Sequence, residues 1–156
     1  AQHVSLASAL AAFEKLNTAG APAPLTPETF LPLDDATLKQ VGFSRQKTRY
    51  GRILANAILA GTLDLNELPN LPDEEVIAKL TALTGIGPWT ANVYLLMVLC
   101  RPNAWPRGDI ALHAAMQQVL GLEKRPSSDE AEQISLRWQP RRAVAARILW
   151  HHYLSR

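Results

Sequence analysis

Asp109 and the glycines Gly85 and Gly87 are the residues whose types and spacing could do chemistry. The glycines lie in Leu83-Thr84-Gly85-Ile86-Gly87-Pro88-Trp89-Thr90-Ala91, and the aspartate follows Gly87 by 22 residues in Pro106-Arg107-Gly108-Asp109. A glycine bend between two helices leaves the unpaired N–H groups of the second helix open to an anion, and the helix dipole favours negative charge at the same place. A phosphate held there is gripped without regard to base sequence. A bare Gly-x-Gly also fits an ordinary helix-turn-helix corner, and an acidic residue before Ile110-Ala111-Leu112 also fits a plain N-cap. If the Asp109 carboxylate faces a DNA groove beside the bend, it stands where it can stabilise positive charge developing on a sugar. Capping and charge stabilisation are compatible, and together with the bend they point to an enzyme that works on DNA.

These groups need helices to hold them, and helix signals dominate the chain. Val76, Ile77, Leu80 and Leu83 share one face of a helix that begins at Pro72-Asp73-Glu74 and is expected to end at Gly85, with Pro88 suited to the first turn of the next. Leu6, Leu10 and Phe13 line an opening helix, Thr26 and Pro27 start another, and Asp34-Asp35 precedes a short one. Tyr50, Ile53, Leu54, Ala57 and Ile58 form a stripe that stops at Gly61, and Leu112, Ala115, Met116, Val119 and Leu120 form another that ends near Gly121. Ser127-Ser128-Asp129-Glu130 caps a further helix, and Arg141 to Leu154 reads as the last. No alternating strand pattern and no internal repeat appears, so an all-α fold is expected.

Composition narrows the function classes. With 156 residues and 47 % hydrophobic content the chain suits one domain or two closely packed helical lobes. Net charge is only +2, with a pI near 8.9. The cations gather at Arg45, Lys47, Arg49 and Arg52 and again at Arg137, Arg141, Arg142 and Arg147, which suggests a localised basic face. One cysteine, Cys100, excludes a disulfide framework and a cysteine-bound zinc or iron–sulfur site within the chain, and its place after the apolar run from Val93 reads as a buried thiol. That run is too short to cross a bilayer, so no membrane association and a reducing intracellular compartment are expected. His151 and His152 are adjacent on a helix and point roughly 100° apart, so no metal is expected.

The bend Leu83–Ala91, the Gly108-Asp109 aspartate, the opening Gln2-His3-Val4-Ser5 and the closing Arg137-Trp138-Gln139-Pro140-Arg141-Arg142 with Trp150 occur in an order that resembles the helix-hairpin-helix (HhH-GPD) DNA glycosylases of the 3-methyladenine DNA glycosylase II type. The resemblance covers nearly the whole chain. It implies a helical glycosylase domain over 1–156 with the helix-hairpin-helix at 72–100, built as two packed helical lobes with a cleft between them. It further implies a catalytic Asp109, a phosphate-binding Gly85, Ile86, Gly87 and Thr90, a base pocket with Trp89 and Trp150, and His3 at the position of the wedge that replaces the flipped nucleotide. A solvent-exposed helix histidine is the other reading of His3, and core packing is the other reading of both tryptophans. No cofactor is implied beyond a monovalent cation that the hairpin carbonyls could hold.

The implied partner is double-stranded DNA containing damaged bases, and the implied reaction is hydrolysis of the N-glycosidic bond of alkylated purines by base flipping, in base excision repair. Relatives that also cut the backbone carry a lysine two positions after the last hairpin glycine. Here Trp89 stands there, so a monofunctional enzyme is expected. Val93 and Ile110 occupy positions where relatives carry aromatics, which leaves the lesion range open. A non-catalytic helix-hairpin-helix module and a glycosylase for another damaged base are the alternatives. The chain opens inside a motif that the family reaches only after an upstream segment, so it is expected to be N-terminally truncated. A monomer is expected, cytoplasmic with the nucleoid in a bacterium or nuclear in a eukaryote.

Overall fold

The computed structural model describes residues 6–19 and 24–155, with side chains from residue 11. All regular structure among them is helical: α1 (Leu6–Ala19), α2 (Pro27–Phe30), α3 (Asp35–Gln40), α4 (Arg45–Leu59), α5 (Asp73–Thr81), α6 (Pro88–Met97), α7 (Ile110–Val119), α8 (Ser128–Ser135) and α9 (Arg142–Leu154). Short 3-10 turns cover Leu68–Asn70 and Leu136–Trp138. The helix starts follow from side-chain caps. Thr26, Asp34 and Ser127 each accept a hydrogen bond from the backbone N–H three residues on, and Ser127 with Glu130 forms a reciprocal capping box. The helix stops at α4 and α7 are marked by Gly61 and Gly121, both at positive φ.

Two compact units emerge. One comprises the described residues up to Glu67 together with Leu83–Gly85. Its core joins Leu16, Phe30, Leu38, Val41 and Ala55, against which Leu25, Leu31, Leu33 and Phe43 pack. Phe30 lies so close over α4 that a Cβ at Gly51 would stand 2.7 Å from its ring, which explains a glycine in the middle of a helix.

The other unit comprises Leu68–Ala82 and Ile86–Arg156. There α7 packs along α9, and α5 packs against α6. Leu68, Val76, Leu80, Leu95, Leu96, Leu112, Met116 and Leu149 are buried. The Arg101 guanidinium donates to the Pro69 and Leu71 carbonyls at 2.7 and 2.9 Å and pairs with Asp73, fastening the chain after α6 to the segment that leads into α5.

Several sequence expectations are corrected. Helix α5 stops at Thr81, with Ala82 as its C-cap, rather than at Gly85; three residues of turn separate the helix end from the left-handed glycine. Phe13 is 55 % exposed, and Leu16, three residues on, makes the core contact of α1 instead. Cys100 is exposed: it follows the end of α6 at φ +53°, a turn conformation that carries its side chain out of the apolar run. Val119 is exposed at the last turn of α7 while Leu112, Ala115 and Met116 are buried as expected.

The two basic clusters divide by role. Arg52 donates to the Leu33 carbonyl and pairs with Asp35, Arg142 pairs with Glu132 at 2.8 Å, and Arg147 donates to the Leu96 carbonyl, so these three brace the fold. Arg45, Arg49, Arg137 and Arg141 stay exposed.

Candidate active site

The bend between α5 and α6 is built by two glycines with different reasons to be glycine. Gly85 has φ +102°, and a Cβ there would lie 2.2 Å from Cγ of Tyr50 on α4. Both conformation and space forbid a side chain. Tyr50 is itself held by Gln46, whose side-chain amide donates to its hydroxyl at 2.8 Å. Gly87 is the N-cap of α6 at φ −95°, a conformation any residue adopts, and a Cβ there would meet nothing within 4 Å. Its lack of a side chain therefore leaves open space in front of the helix.

That space faces an uncapped helix end. Gly87 offers no side-chain cap to the first turn of α6, and Gly87, Pro88, Trp89 and Thr90 are all exposed. Pro88 has no N–H, and the Ala91 N–H already donates to the Gly87 carbonyl. The amides of Trp89 and Thr90 remain for an anion, the arrangement that suits phosphate. Ile86 is half-buried between the two glycines.

Asp109 is delivered by a braced loop. Trp105 and Pro106 are buried, with Trp105 tilted against Trp138 at 5.9 Å, and Gly108 turns at φ +81° into the start of α7. From α9, the Arg142 Nε donates to the carbonyl and side-chain oxygens of Asn103, and the Ala143 N–H donates to the Pro102 carbonyl at 2.9 Å. Arg107 pairs with Asp129 on α8.

At the end of this loop Asp109 is the N-cap of α7, its Oδ1 accepting from the Leu112 N–H at 2.9 Å. Its Oδ2 accepts from the indole Nε1–H of Trp89, also at 2.9 Å. The capping and site roles thus fall on different oxygens of one carboxylate. Asp109 is 8 % exposed while Trp89 is 46 % exposed, so a buried carboxylate is hydrogen-bonded to a tryptophan that reaches solvent.

Of the residues singled out from sequence, Asp109, Trp89, Thr90 and Gly87 are brought together through this hydrogen bond and the first turn of α6. Core packing is not the state of Trp89. Trp150 is half-buried on α9, the helix that packs along α7. Val93 is half-buried and Ile110 exposed. His3 lies outside the described residues.

Sequence reading missed His113, buried one turn along α7 from Asp109. Burial pushes its imidazole below the ordinary value; the Asp109 charge opposes that shift and Arg125 adds to it. The four-residue spacing from Asp109 was the available signal. No group of three metal-ligating side chains occurs among the described residues. A cation at the bend would rest on backbone carbonyls.

With this geometry in view, the chain matches the HhH-GPD superfamily of base excision DNA repair proteins over residues 1–141. The chain belongs to this superfamily. The Bacillus subtilis protein YfjP is 38 % identical over 124 residues, covering 80 % of this chain and 43 % of YfjP. DNA-3-methyladenine glycosylase 2 of Escherichia coli is 29 % identical over 129 residues, covering 81 % of this chain and 42 % of that enzyme. The chain thus spans under half the length of either of these HhH-GPD relatives. The solved structure of the Schizosaccharomyces pombe 3-methyladenine DNA glycosylase Mag1, in complex with abasic DNA, superposes with a TM-score of 0.90 at 28 % identity, covering 96 % of this chain and 73 % of that one.

Proposed function

We propose that this HhH-GPD chain is a monofunctional DNA glycosylase that hydrolyses the N-glycosidic bond of alkylated purines, 3-methyladenine among them, in duplex DNA. The observation that carries the reading is the hydrogen bond between Asp109 and Trp89, which ties a carboxylate to the first turn of the anion-facing helix. The names of the relatives support the choice of lesion.

A purine alkylated at N3 or N7 is already cationic, so it needs no proton to depart. The bond between the sugar C1′ and the base nitrogen breaks, its electron pair leaves with the base, and the sugar is left with oxocarbenium character. Ionised Asp109 stabilises that cation and orients water, whose oxygen bonds to C1′ while its proton passes to the carboxylate or to solvent. The glycosidic bond is inaccessible inside a duplex, so the nucleotide must leave the stack first, and the exposed Trp89 together with Trp150 would offer faces to the electron-poor base. The Trp89 and Thr90 amides hold the backbone phosphate, and His3 is assigned to the wedge.

Trp89 stands where a lyase would need an amine, which supports simple hydrolysis to an abasic site. Borohydride should therefore trap no covalent protein–DNA adduct, and an adduct would overturn this part of the reading. The deciding experiment incubates the protein with duplexes that each carry one defined lesion and measures released base. Release from alkylated purines is expected, and release only from an oxidised or mispaired base would overturn the assignment.

One observation favours a second reading, a docking module without catalysis: Asp109 is buried with both oxygens engaged, as a purely structural cap would be. A module would release no base from any duplex and would keep its DNA affinity when Asp109 is replaced by asparagine.

A further inference from the structure

The carboxylate of Asp109 is fixed at two points that differ in origin. The Leu112 N–H that holds Oδ1 belongs to α7 itself, so that bond is the ordinary consequence of capping. One such bond leaves the carboxylate free to turn about its own axis, and the cap would be equally satisfied. The second bond removes that freedom, and it comes from α6, 20 residues away in sequence.

Its donor has unusual placement and unusual chemistry. Trp89 is the second residue of α6 after the Gly87 cap, so its own backbone amide belongs to the open turn that faces phosphate. One residue therefore presents a main-chain N–H to the strand and a ring N–H to the carboxylate, with the covalent geometry of a single side chain setting the separation. The indole nitrogen donates only and has no lone pair to offer, so Oδ2 can meet it in one sense alone, as acceptor. Phenylalanine or tyrosine would supply a similar stacking face here with no nitrogen to donate from. Trp89 is half-exposed while Asp109 is buried, so the carboxylate is held by a residue that itself reaches solvent.

From this geometry we infer that Trp89 is a positioning residue: its indole N–H sets the plane of the Asp109 carboxylate and carries the register of the phosphate-gripping bend to the reacting centre. The inference rests on the glycosylase reading for its consequence, though the hydrogen bond itself can be tested without it. Catalysis is sensitive to small misplacements, and a carboxylate turned out of its plane loses part of its alignment with the sugar cation while the strand is still held. The signature is a loss in the chemical step without a loss in binding.

Trp89→Phe keeps an aromatic face and removes the donor. Single-turnover base release is expected to fall about 10- to 100-fold, with duplex affinity within about twofold of the parent, and Trp89→His, which retains a ring N–H, should recover part of the rate. A parental rate in Trp89→Phe alongside an inert Asp109→Asn would overturn the inference while leaving the glycosylase reading intact. So would a rate and an affinity that fall together, the pattern of a residue that only stacks.

A second measurement needs neither activity nor a folded Trp89 variant. In protein labelled with 15N-tryptophan, the chain has four indole N–H resonances to assign. That of Trp89 is expected downfield and slow to exchange, and Asp109→Ala should move it upfield and speed its exchange. An unmoved resonance would overturn the inference. If no duplex yields free base even with the parent protein, the glycosylase reading fails instead, and the resonance still decides whether the indole holds the carboxylate.

Discussion

Asp34 and Asp109 are the same device in two places, and the difference between them separates a cap from a candidate site. Each precedes a helix and offers Oδ1 to the N–H three residues on, Thr37 at 2.7 Å and Leu112 at 2.9 Å. Asp34 is exposed, and the groups that bond its carboxyl, the Thr37 N–H and hydroxyl and the Ala36 N–H, all belong to the first turn of its own helix. The Thr37 backbone N–H, then the Thr37 hydroxyl, hold its carboxyl below the ordinary value. Asp109 is buried, and its second oxygen meets an indole from another helix. The local motif is the same, and what sets the candidate carboxylate apart from the plain cap is its burial and the partner of the oxygen that capping does not use.

The largest expected effect is on activity. Asp109→Asn keeps an oxygen for the Leu112 N–H but removes the negative charge, and base release should drop by about 100- to 1,000-fold while the melting temperature stays close to the parent's. Asp34→Asn should leave base release unchanged. If both substitutions, or neither, slow release, the contrast between the two caps is broken.

Stability sharpens the same contrast at a smaller scale. Asp109→Ala removes the cap and strands the Trp89 N–H, which together should cost about 2–3 kcal/mol in denaturant unfolding. Asp34→Ala removes a solvent-exposed cap only and should shift the melting temperature much less. Equal losses would mean that the indole bond adds nothing to the hold on Asp109.

DNA affinity should fall as salt rises, because phosphates neutralised by protein cations release counterions. Neither cap should alter that slope, since neither carboxylate is assigned to phosphate; a slope changed by Asp109→Asn would place Asp109 on the strand.

Acid separates the neighbourhoods of the two caps by pH. The lowered pKa of His113 means that the unfolded chain binds its proton first, so the stability it confers is complete above about pH 6.5 and is lost as pH falls toward the lowered folded value. The lowered pKa of Asp34 places its contribution above about pH 3.8 and its loss below. Melting temperature should therefore begin to decline just below pH 6.5 in the parent, with a shallower decline in His113→Gln and an unchanged one in Asp34→Asn. A parental decline in His113→Gln would remove His113 from this account.

Much of the fold was legible because its signals are local. Thr26, Asp34 and the Ser127–Glu130 box act within one turn, and Gly61, Gly85 and Gly121 adopt positive φ as their surroundings in sequence suggest. The failures share a cause. Phe13, Val119 and Cys100 were placed inside by periodicity or by neighbours, but periodicity gives a face and not what meets that face. Arg52 and Arg142 counted toward a localised basic face, but each is drawn into an ion pair within the fold, with Asp35 and with Glu132. The pairing of Trp89 with Asp109 links two helices, and the sequence could put each residue at a helix start without saying that the starts meet.

Tyr50 and Gly85 form a pair in which the glycine is fixed twice over. No side chain fits at position 85 while the ring stands 2.2 Å from where its first carbon would be, and removing the ring first still leaves φ at +102°. Making room by shortening Tyr50 would therefore not free position 85, and only glycine serves at the corner that leads into the open turn of α6.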